Sequence, residues 1–214
     1  MVIAIDGPAG AGKSTVARGV ADALGFTYLD SGAMYRCVAF AALRAGVDVG
    51  DGPAVGELAS AIRLEPADGR VLLDGEDVTQ AIRAPEVTAA ASRVSVHPEV
   101  RQAMIARQRA LVESGHYVAE GRDIGTVVSP DAPLKVFLTA SPEERARRRA
   151  AETGEEVDAV LAAHSARDAR DRGREHGALR PARDSVEIDT TGLDVAEATA
   201  RVVALARERG LGQR

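Results

Sequence analysis

Short apolar runs alternate with amphipathic segments along most of the chain. Residues 2–5, VIAI, are uniformly apolar, and 116–121 and 134–139 are Val-rich runs of the kind that forms strands buried on both faces. From Ser14 to about Leu24 the apolar positions recur at helical spacing. The same criteria predict a strand near 28–30 with a turn at Ser31-Gly32, a helix ending at Ala45, a helix over 99–114, a helix opening at Ser141-Pro142, a strand over 186–189 and a last helix from Asp194 to about Arg209.

Residues 61–79 have a different pattern. Apolar and polar residues alternate there, with Asp-Gly pairs at 68–69 and 74–75, which predicts a small antiparallel excursion. Elsewhere strands alternate with helices, and this order indicates an α/β fold whose parallel sheet is flanked by helices on both faces. In such a fold the ligand binds at the carboxyl ends of the strands.

The first predicted strand leads directly into a glycine-rich segment. Residues 7–14, GPAGAGKS, match G-x-x-x-x-G-K-[ST] at every fixed position, with a strand before them and a helix after them. In this motif backbone N–H groups surround phosphates, the lysine adds positive charge, and the Ser hydroxyl can ligate Mg²⁺. The sequence therefore predicts a nucleoside triphosphate and Mg²⁺ at Gly7, Pro8, Ala9, Gly10, Ala11, Gly12, Lys13, Ser14 and Thr15, with Ser14 as the metal contact.

Overall composition limits the other classes of partner. The net charge of −5 over 214 residues means that anion binding must come from local clusters of arginine, and 3% aromatic residues argue against a base-stacking surface for nucleic acid. A single cysteine, Cys37, excludes an intrachain disulfide and fits a reducing cytoplasm. No apolar run approaches the roughly 18 residues of a membrane span. We expect a cytoplasmic protein with small-molecule partners, no nucleic-acid or membrane partner, and a monomeric state.

Several arginines lie where a second anion could bind. Arg36 is one turn into the second helix, Arg101 belongs to another helix, and Arg122-Asp123 directly follow a buried strand. Strand ends and first helical turns are the positions at which α/β proteins build their sites. A second phosphate beside the first is therefore the expected use of these side chains.

A long arginine-rich segment, residues 144–175, follows. Acidic residues are interleaved and aromatic residues are absent, and Arg167, Asp171 and Arg174 share one helical face. We interpret the segment as a lid that closes over phosphates and excludes water from them. For Asp168 and Asp171, placed among these arginines, we expect salt bridges or a sugar contact and not metal ligation.

Six segments, distributed over nearly the whole chain, match the motifs of a known family. They are the phosphate loop, DSGAMYR (30–36), GEDVTQAIR (75–83), EGRDIGTVVSPDAPLKVFLTAS (120–141), RDARDRGR (167–174) and DTTGL (189–193). On these segments the chain resembles the bacterial cytidylate kinases, within the nucleoside monophosphate kinase family. The combination of DSGAMYR with EGRDIGTVV makes the resemblance far more specific than the phosphate loop alone.

The resemblance implies a fold and an activity. The fold is a single P-loop kinase domain over 1–214, with an NMP-binding lobe inserted at 31–97, a lid at 141–183, and a core formed by 1–30, 98–140 and 184–214. The activity is transfer of the γ-phosphoryl group of ATP to CMP or dCMP, giving ADP and CDP or dCDP, in pyrimidine nucleotide metabolism.

The resemblance also implies residue roles. Within the phosphate loop, which holds ATP, Ser14 stands where some relatives have glycine, so its metal contact is less firmly implied. The catalytic cations are Lys13, Arg122, Arg167 and Arg174. The matching acceptor positions are Ser31, Arg101 and Asp123 for cytosine, Arg36 and Arg122 for the acceptor phosphate, Arg167 and Asp171 for the acceptor sugar and phosphate, and Arg174 for a phosphate contact from the lid.

Three alternative functions remain open at this point. A related small-molecule kinase would use the same loop with another acceptor. A nucleotide-dependent switch would hydrolyse slowly without an acceptor and would not need Arg36, Arg101 and Arg122. Nucleic-acid binding through the arginines of 145–174 has the acidic net charge against it.

Overall fold

The computed structural model describes residues 1–67 and 70–212, which divide into two compact units. The first unit comprises residues 1–29 and 112–214, and the second comprises residues 30–111. Within the described ranges no helix is long and apolar enough to cross a membrane. The strands and helices are β1 (Val2–Asp6), α1 (Lys13–Leu24), β2 (Thr27–Asp30), α2 (Ser31–Ala45), α3 (Gly52–Ala61), β3 (Leu64–Ala67), β4 (Arg70–Leu73), β5 (Glu76–Asp77), α4 (Pro85–Val94), α5 (Pro98–Glu113), β6 (Tyr117–Gly121), β7 (Leu134–Thr139), α6 (Pro142–Thr153), α7 (Val157–Arg172), β8 (Val186–Asp189) and α8 (Val195–Glu208).

A five-stranded sheet with the order β2-β6-β1-β7-β8 forms the centre of the first unit. β1 lies in the middle and pairs in parallel with β6 on one side and β7 on the other, and β7 pairs in parallel with β8. All five residues of β1 are buried, the four apolar residues as predicted and the terminal Asp6 as well. The observed bounds of β7 and β8 coincide with the runs predicted at 134–139 and 186–189.

Helices α1 and α8 pack against this sheet. Val16 and Val20 of α1 and Val202 of α8 belong to one apolar core with Ile3 and Leu138 of the strands. The start of α8 is fixed by a capping box, in which the Asp194 carboxylate accepts a hydrogen bond from the N–H of Glu197 and the Glu197 carboxylate accepts one from the N–H of Asp194. The predicted α/β class, a parallel sheet with flanking helices, is confirmed.

The arginine-rich segment forms two packed helices, α6 and α7, within the first unit. Ser141 caps α6 by accepting a hydrogen bond from the N–H of Glu144, with Pro142 at the first helical position. A small apolar cluster, Ala146, Ala150 and Val160, holds the two helices together. The segment therefore has a defined core of its own as well as its charged surface.

The second unit contains α2, α3, α4 and a small antiparallel sheet with the order β3-β4-β5. Asp74 and Gly75 have φ values of 53° and 88° and form the tight turn between β4 and β5, so the predicted excursion and its second turn are confirmed. The predicted Asp68-Gly69 turn lies outside the described residues. Cys37 of α2 is fully buried, and burial raises the pKa of its thiol to about 12.

The turn predicted at Ser31-Gly32 is wrong. Helix α2 begins at Ser31, directly after β2, because the Asp30 carboxylate caps it by accepting a hydrogen bond from the N–H of Ala33 over 2.8 Å. Ser31 and Gly32 therefore form the first turn of the helix. Capping by the last residue of a strand allows the chain to pass from strand to helix without an intervening turn.

Candidate functional site

The phosphate loop connects β1 to α1 and contains three glycines with positive φ. Gly7 has a φ of 153°, and a Cβ atom there would lie 2.1 Å from the carbonyl oxygen of Leu138 in β7. Only glycine can occupy that position, because the clash is with backbone. Gly10 and Gly12 have φ values of 75° and 82°. Helix α1 starts at Lys13, so the loop ends with the positive pole of a helix.

Lys13 is buried at the end of this loop. Its Nζ donates a hydrogen bond of 2.7 Å to the carbonyl oxygen of Pro8. Burial, followed by the positive charges of Arg122 and Arg167, lowers the pKa of the Lys13 ammonium to about 7, against the opposing effects of Glu120 and other acidic neighbours. The phosphate loop and the arginines after β6 and on α7 therefore act on one another electrostatically within the first unit.

Asp6, the last residue of β1, connects the phosphate-loop strand to the segment after β6. Its carboxylate accepts hydrogen bonds from the N–H groups of Ile124 and Gly125 over 2.9 and 2.8 Å. These residues open a π-helical turn, Ile124–Val128, directly after Asp123. Burial raises the pKa of Asp6 to about 6 although both hydrogen bonds lower it. Sequence reasoning missed this residue, and the available signal was an acidic side chain that ends an otherwise apolar strand.

A second group of charged side chains surrounds Asp171 of α7. The carboxylate is 1% exposed and accepts from Arg122 Nε over 2.9 Å and from Arg174 Nη2 over 2.5 Å. Burial raises the pKa of Asp171, but the charges of Arg122, Arg174 and Arg167 outweigh it and hold the pKa below its ordinary value. The structure thus brings together the four residues that the sequence placed after β6 and in the lid.

Arg145 and Asp168 form a further buried pair, with 2.7 Å between Arg145 Nη1 and Asp168 Oδ2. Arg145 belongs to the arginine-rich segment predicted as a lid, but its side chain is buried because Asp168 neutralises it. The salt bridging expected of Asp168 and Asp171 is confirmed. The participation of Arg145 was not predictable, because its partner lies on another helix.

The remaining predicted acceptor residues, Ser31, Arg36 and Arg101, belong to the second unit. Ser31 is the buried first residue of α2, and Arg36 lies on the same helix, where its Nη2 donates to the Asp30 carboxylate over 2.7 Å. Arg101 of α5 is 3% exposed, and its guanidinium lies 5.9 Å from the centre of the Tyr35 ring. Two buried or half-buried arginines are well suited to an anionic ligand.

No group of three or more His, Cys, Asp or Glu side chains in the described ranges could hold a metal ion. Ser14 is exposed in the first turn of α1, directly after Lys13. A single hydroxyl suits Mg²⁺, which keeps several waters and binds nucleotide phosphates, and does not suit a cation that needs a complete protein cage. The residues present therefore fit a metal that enters with its nucleotide.

The fold and the loop define a P-loop phosphate-binding protein, with a buried parallel strand, a glycine loop, and a lysine at the start of a helix. Among solved structures, the crystal structure of a gluconokinase from Sinorhizobium meliloti is similar in fold, with a TM-score of 0.54 and 18% sequence identity over 98% of this chain and 93% of that one. At this identity the likeness concerns the fold alone.

Sequence comparison is more specific. The profile of the family described as cytidylate kinase matches residues 3–208. A cytidylate kinase of Solibacter usitatus is 50% identical over 216 residues, covering 98% of this chain and 93% of that protein, and one of Mycobacterium avium is 49% identical over 219 residues, covering 98% and 96%. The chain belongs to the cytidylate kinase family, and the resemblance inferred from its motifs is confirmed.

Proposed function

We propose that this protein transfers the γ-phosphoryl group of ATP to CMP, and also to dCMP, giving ADP and CDP or dCDP. Membership of the cytidylate kinase family supports the reaction and the acceptor class. The structural observation that carries the proposal is the charge arrangement of the first unit, where buried Lys13 is influenced by Arg122 and Arg167, and Arg122 is held by Asp171. We place the activity in pyrimidine nucleotide metabolism in the cytoplasm, with the protein acting as a monomer.

The donor side of the proposal is the phosphate loop, residues 7–15. Its backbone N–H groups and Lys13 would hold the phosphates of ATP, and the exposed Ser14 hydroxyl would contribute to Mg²⁺ binding. Bound Mg²⁺ would neutralise charge on the phosphates. The rigidity of the loop is supported by Gly7, which fits against Leu138 with no space for a side chain.

The acceptor side is assigned by the family resemblance and by the chemistry of each side chain. Arginines suit the phosphate. A carboxylate can accept a hydrogen bond from the exocyclic amine of cytosine, and an arginine can donate to its ring acceptors. The proposed contacts are Ser31, Arg101 and Asp123 for cytosine, Arg36 and Arg122 for the phosphate, and Arg167, Asp171 and Arg174 for the sugar and the phosphates.

The proposed mechanism needs no strong general base. The second pKa of a phosphate monoester is about 6, so the attacking oxygen is already largely anionic at neutral pH. Catalysis then consists of in-line positioning and neutralisation of charge on the transferred group by Lys13, Arg122, Arg167 and Arg174. The contacts of Asp171 with Arg122 and Arg174 orient two of these cations.

The preference for cytosine should depend on Asp123, which is buried. Uracil would present an oxygen to this carboxylate in place of the cytosine amine, and the two acceptors would repel each other. We expect Asp123→Asn to lower the ratio of kcat/KM for CMP over UMP by about tenfold or more, with a smaller effect on kcat for CMP. Asp131→Asn, which removes an exposed charge nearby in sequence, is the matched control. Equal losses with CMP and UMP would contradict the role assigned to Asp123.

The activity itself is tested with an acceptor panel. ADP release from ATP and Mg²⁺ is measured with CMP, dCMP, UMP, AMP and no acceptor. We expect CMP and dCMP to give the highest kcat/KM, with little ADP formed without an acceptor. Faster turnover of AMP would indicate another kinase specificity, and hydrolysis that does not depend on an acceptor would indicate a nucleotide switch.

A further inference from the structure

Helices α6 and α7 of the predicted lid bind both the N–H and the carbonyl group of one residue of the phosphate loop. The Ala9 N–H donates to Asp168 Oδ1 of α7 over 3.1 Å, and the Ala9 carbonyl oxygen accepts from Arg145 Nη1 of α6 over 2.8 Å. The same Nη1 donates to Asp168 Oδ2 over 2.7 Å. Ala9, Arg145 and Asp168 therefore form a closed set of hydrogen bonds, here called the loop clamp.

The loop clamp is buried and makes one further hydrogen bond to its surroundings. The side chains of Arg145 and Asp168 are 6% and 2% exposed, and Arg145 Nε donates a further hydrogen bond to the carbonyl oxygen of Ala140. A buried ion pair is weak evidence for stability, because apolar side chains of the same volume often serve equally well. The presence of this ion pair is then explained by the backbone that it binds, at Ala9.

What it holds is the first half of the phosphate loop. Pro8 has no N–H, and its carbonyl oxygen accepts from Lys13 Nζ. The clamp fixes Ala9, and Gly10 then turns with a φ of 75° against α6, where a Cβ atom would lie 3.0 Å from Arg145 Cβ. Once these residues are fixed, the direction of the following N–H groups, which the motif assigns to phosphates, is fixed as well.

We propose that Asp168 and Arg145 are positioning residues for the donor nucleotide, which hold the phosphate loop in its binding shape through Ala9. The proposal rests on the proposed function for the identity of the donor. Because the two charges cancel, the pair adds no net attraction for a polyphosphate, and its effect must come through the backbone.

The first test is Asp168→Asn, which keeps the shape of the side chain and one acceptor for the Ala9 N–H but places an amide where Arg145 needs a carboxylate. Loss of a hydrogen bond to a charged group predicts a KM for ATP and a Kd for ADP raised about tenfold or more. The KM for CMP should change less than about twofold, and kcat at saturating ATP less than about threefold. Asp158→Asn, an exposed carboxylate on the same helix, is the matched control.

The second test uses Arg145. Arg145→Met removes the charge and Arg145→Lys keeps it but cannot supply all three hydrogen bonds, so Lys should give a smaller rise in the Kd for ADP than Met. The double variant Asp168→Asn with Arg145→Met should weaken ADP binding by less than the product of the single effects, as expected for one unit. Arg147→Met, at an arginine that is 64% exposed on the same helix, is the control.

ADP affinity is measured by calorimetry, which requires no turnover. If the wild-type protein binds ADP but does not phosphorylate CMP, the proposed function fails while the test of the clamp stands. The clamp is refuted if Asp168→Asn and Arg145→Lys lower the melting temperature but leave the Kd for ADP unchanged, or if the KM for CMP rises as much as that for ATP.

Discussion

Lys13 should take up a proton when a nucleotide phosphate binds beside it. Its ammonium is buried, and burial together with Arg122 and Arg167 lowers its pKa to about 7 in the free protein. At pH 8 a group with this pKa is roughly 90% neutral, and at pH 7 it is roughly half neutral. A bound phosphate is an opposite charge, which favours the ammonium and returns the pKa toward its ordinary value. Binding should therefore take up about 0.9 proton per ADP at pH 8 and about 0.5 at pH 7.

The uptake is measured by calorimetry of ADP binding in two buffers of different ionisation enthalpy. At pH 8 the phosphates of ADP are almost fully ionised, since their second pKa is about 6, so the nucleotide contributes little. Lys13→Arg is the control, because a guanidinium stays charged throughout this range and should show almost no uptake. The reasoning is refuted if the wild-type protein and Lys13→Arg take up the same number of protons at pH 8.

Three further predictions concern the scaffold of the site. Gly7→Ala should destabilise the fold by at least about 3 kcal/mol in urea unfolding, because its Cβ would lie 2.1 Å from the Leu138 carbonyl oxygen. Gly25→Ala, with a φ of 68° but open space around it, should cost only about 1 kcal/mol. Similar losses of stability in the two variants would contradict this reasoning. Asp194→Ala should cost about 1 kcal/mol through loss of the α8 cap, measured in the same way, and an unchanged midpoint would exclude that role. Because the pKa of Asp6 is raised to about 6, the folded state binds more protons than the unfolded state between about pH 4 and 6. The free energy of unfolding of the wild type relative to Asp6→Asn should therefore fall by about 2 kcal/mol from pH 4 to 7. A rise over this range would refute the assignment.

Local patterns predicted several elements from residues that are contiguous in sequence. The runs at 134–139 and 186–189 form strands with the expected bounds, and the cap residues Ser141 and Asp194 start helices as expected. Each of these signals depends on residues that are neighbours in sequence. The turn predicted at Ser31-Gly32 failed for a related reason, since glycine and serine are common to turns and to first helical turns alike.

The contacts that organise the site depend on residues far apart in sequence. Asp168 lies 159 residues from Ala9, and Asp6 lies 118 residues from Ile124. Periodicity carries no information about such pairs, and an arginine such as Arg145 has the same appearance in sequence whether it meets solvent or a buried carboxylate. The phosphate loop was predictable because its motif is contiguous, whereas its supports come from strands and helices elsewhere in the chain.

The burial of Cys37 makes the natural chain a suitable background for site-specific labelling. Its thiol is fully inaccessible and has a pKa of about 12, so almost no thiolate is present to react with maleimides or methanethiosulfonates at neutral pH. Cysteines introduced at exposed positions, for example Glu57→Cys in the second unit and Glu155→Cys between α6 and α7, would then be the reactive sites. A fluorophore or spin-label pair at these positions would report the distance between the two units during nucleotide binding, without first removing a native thiol.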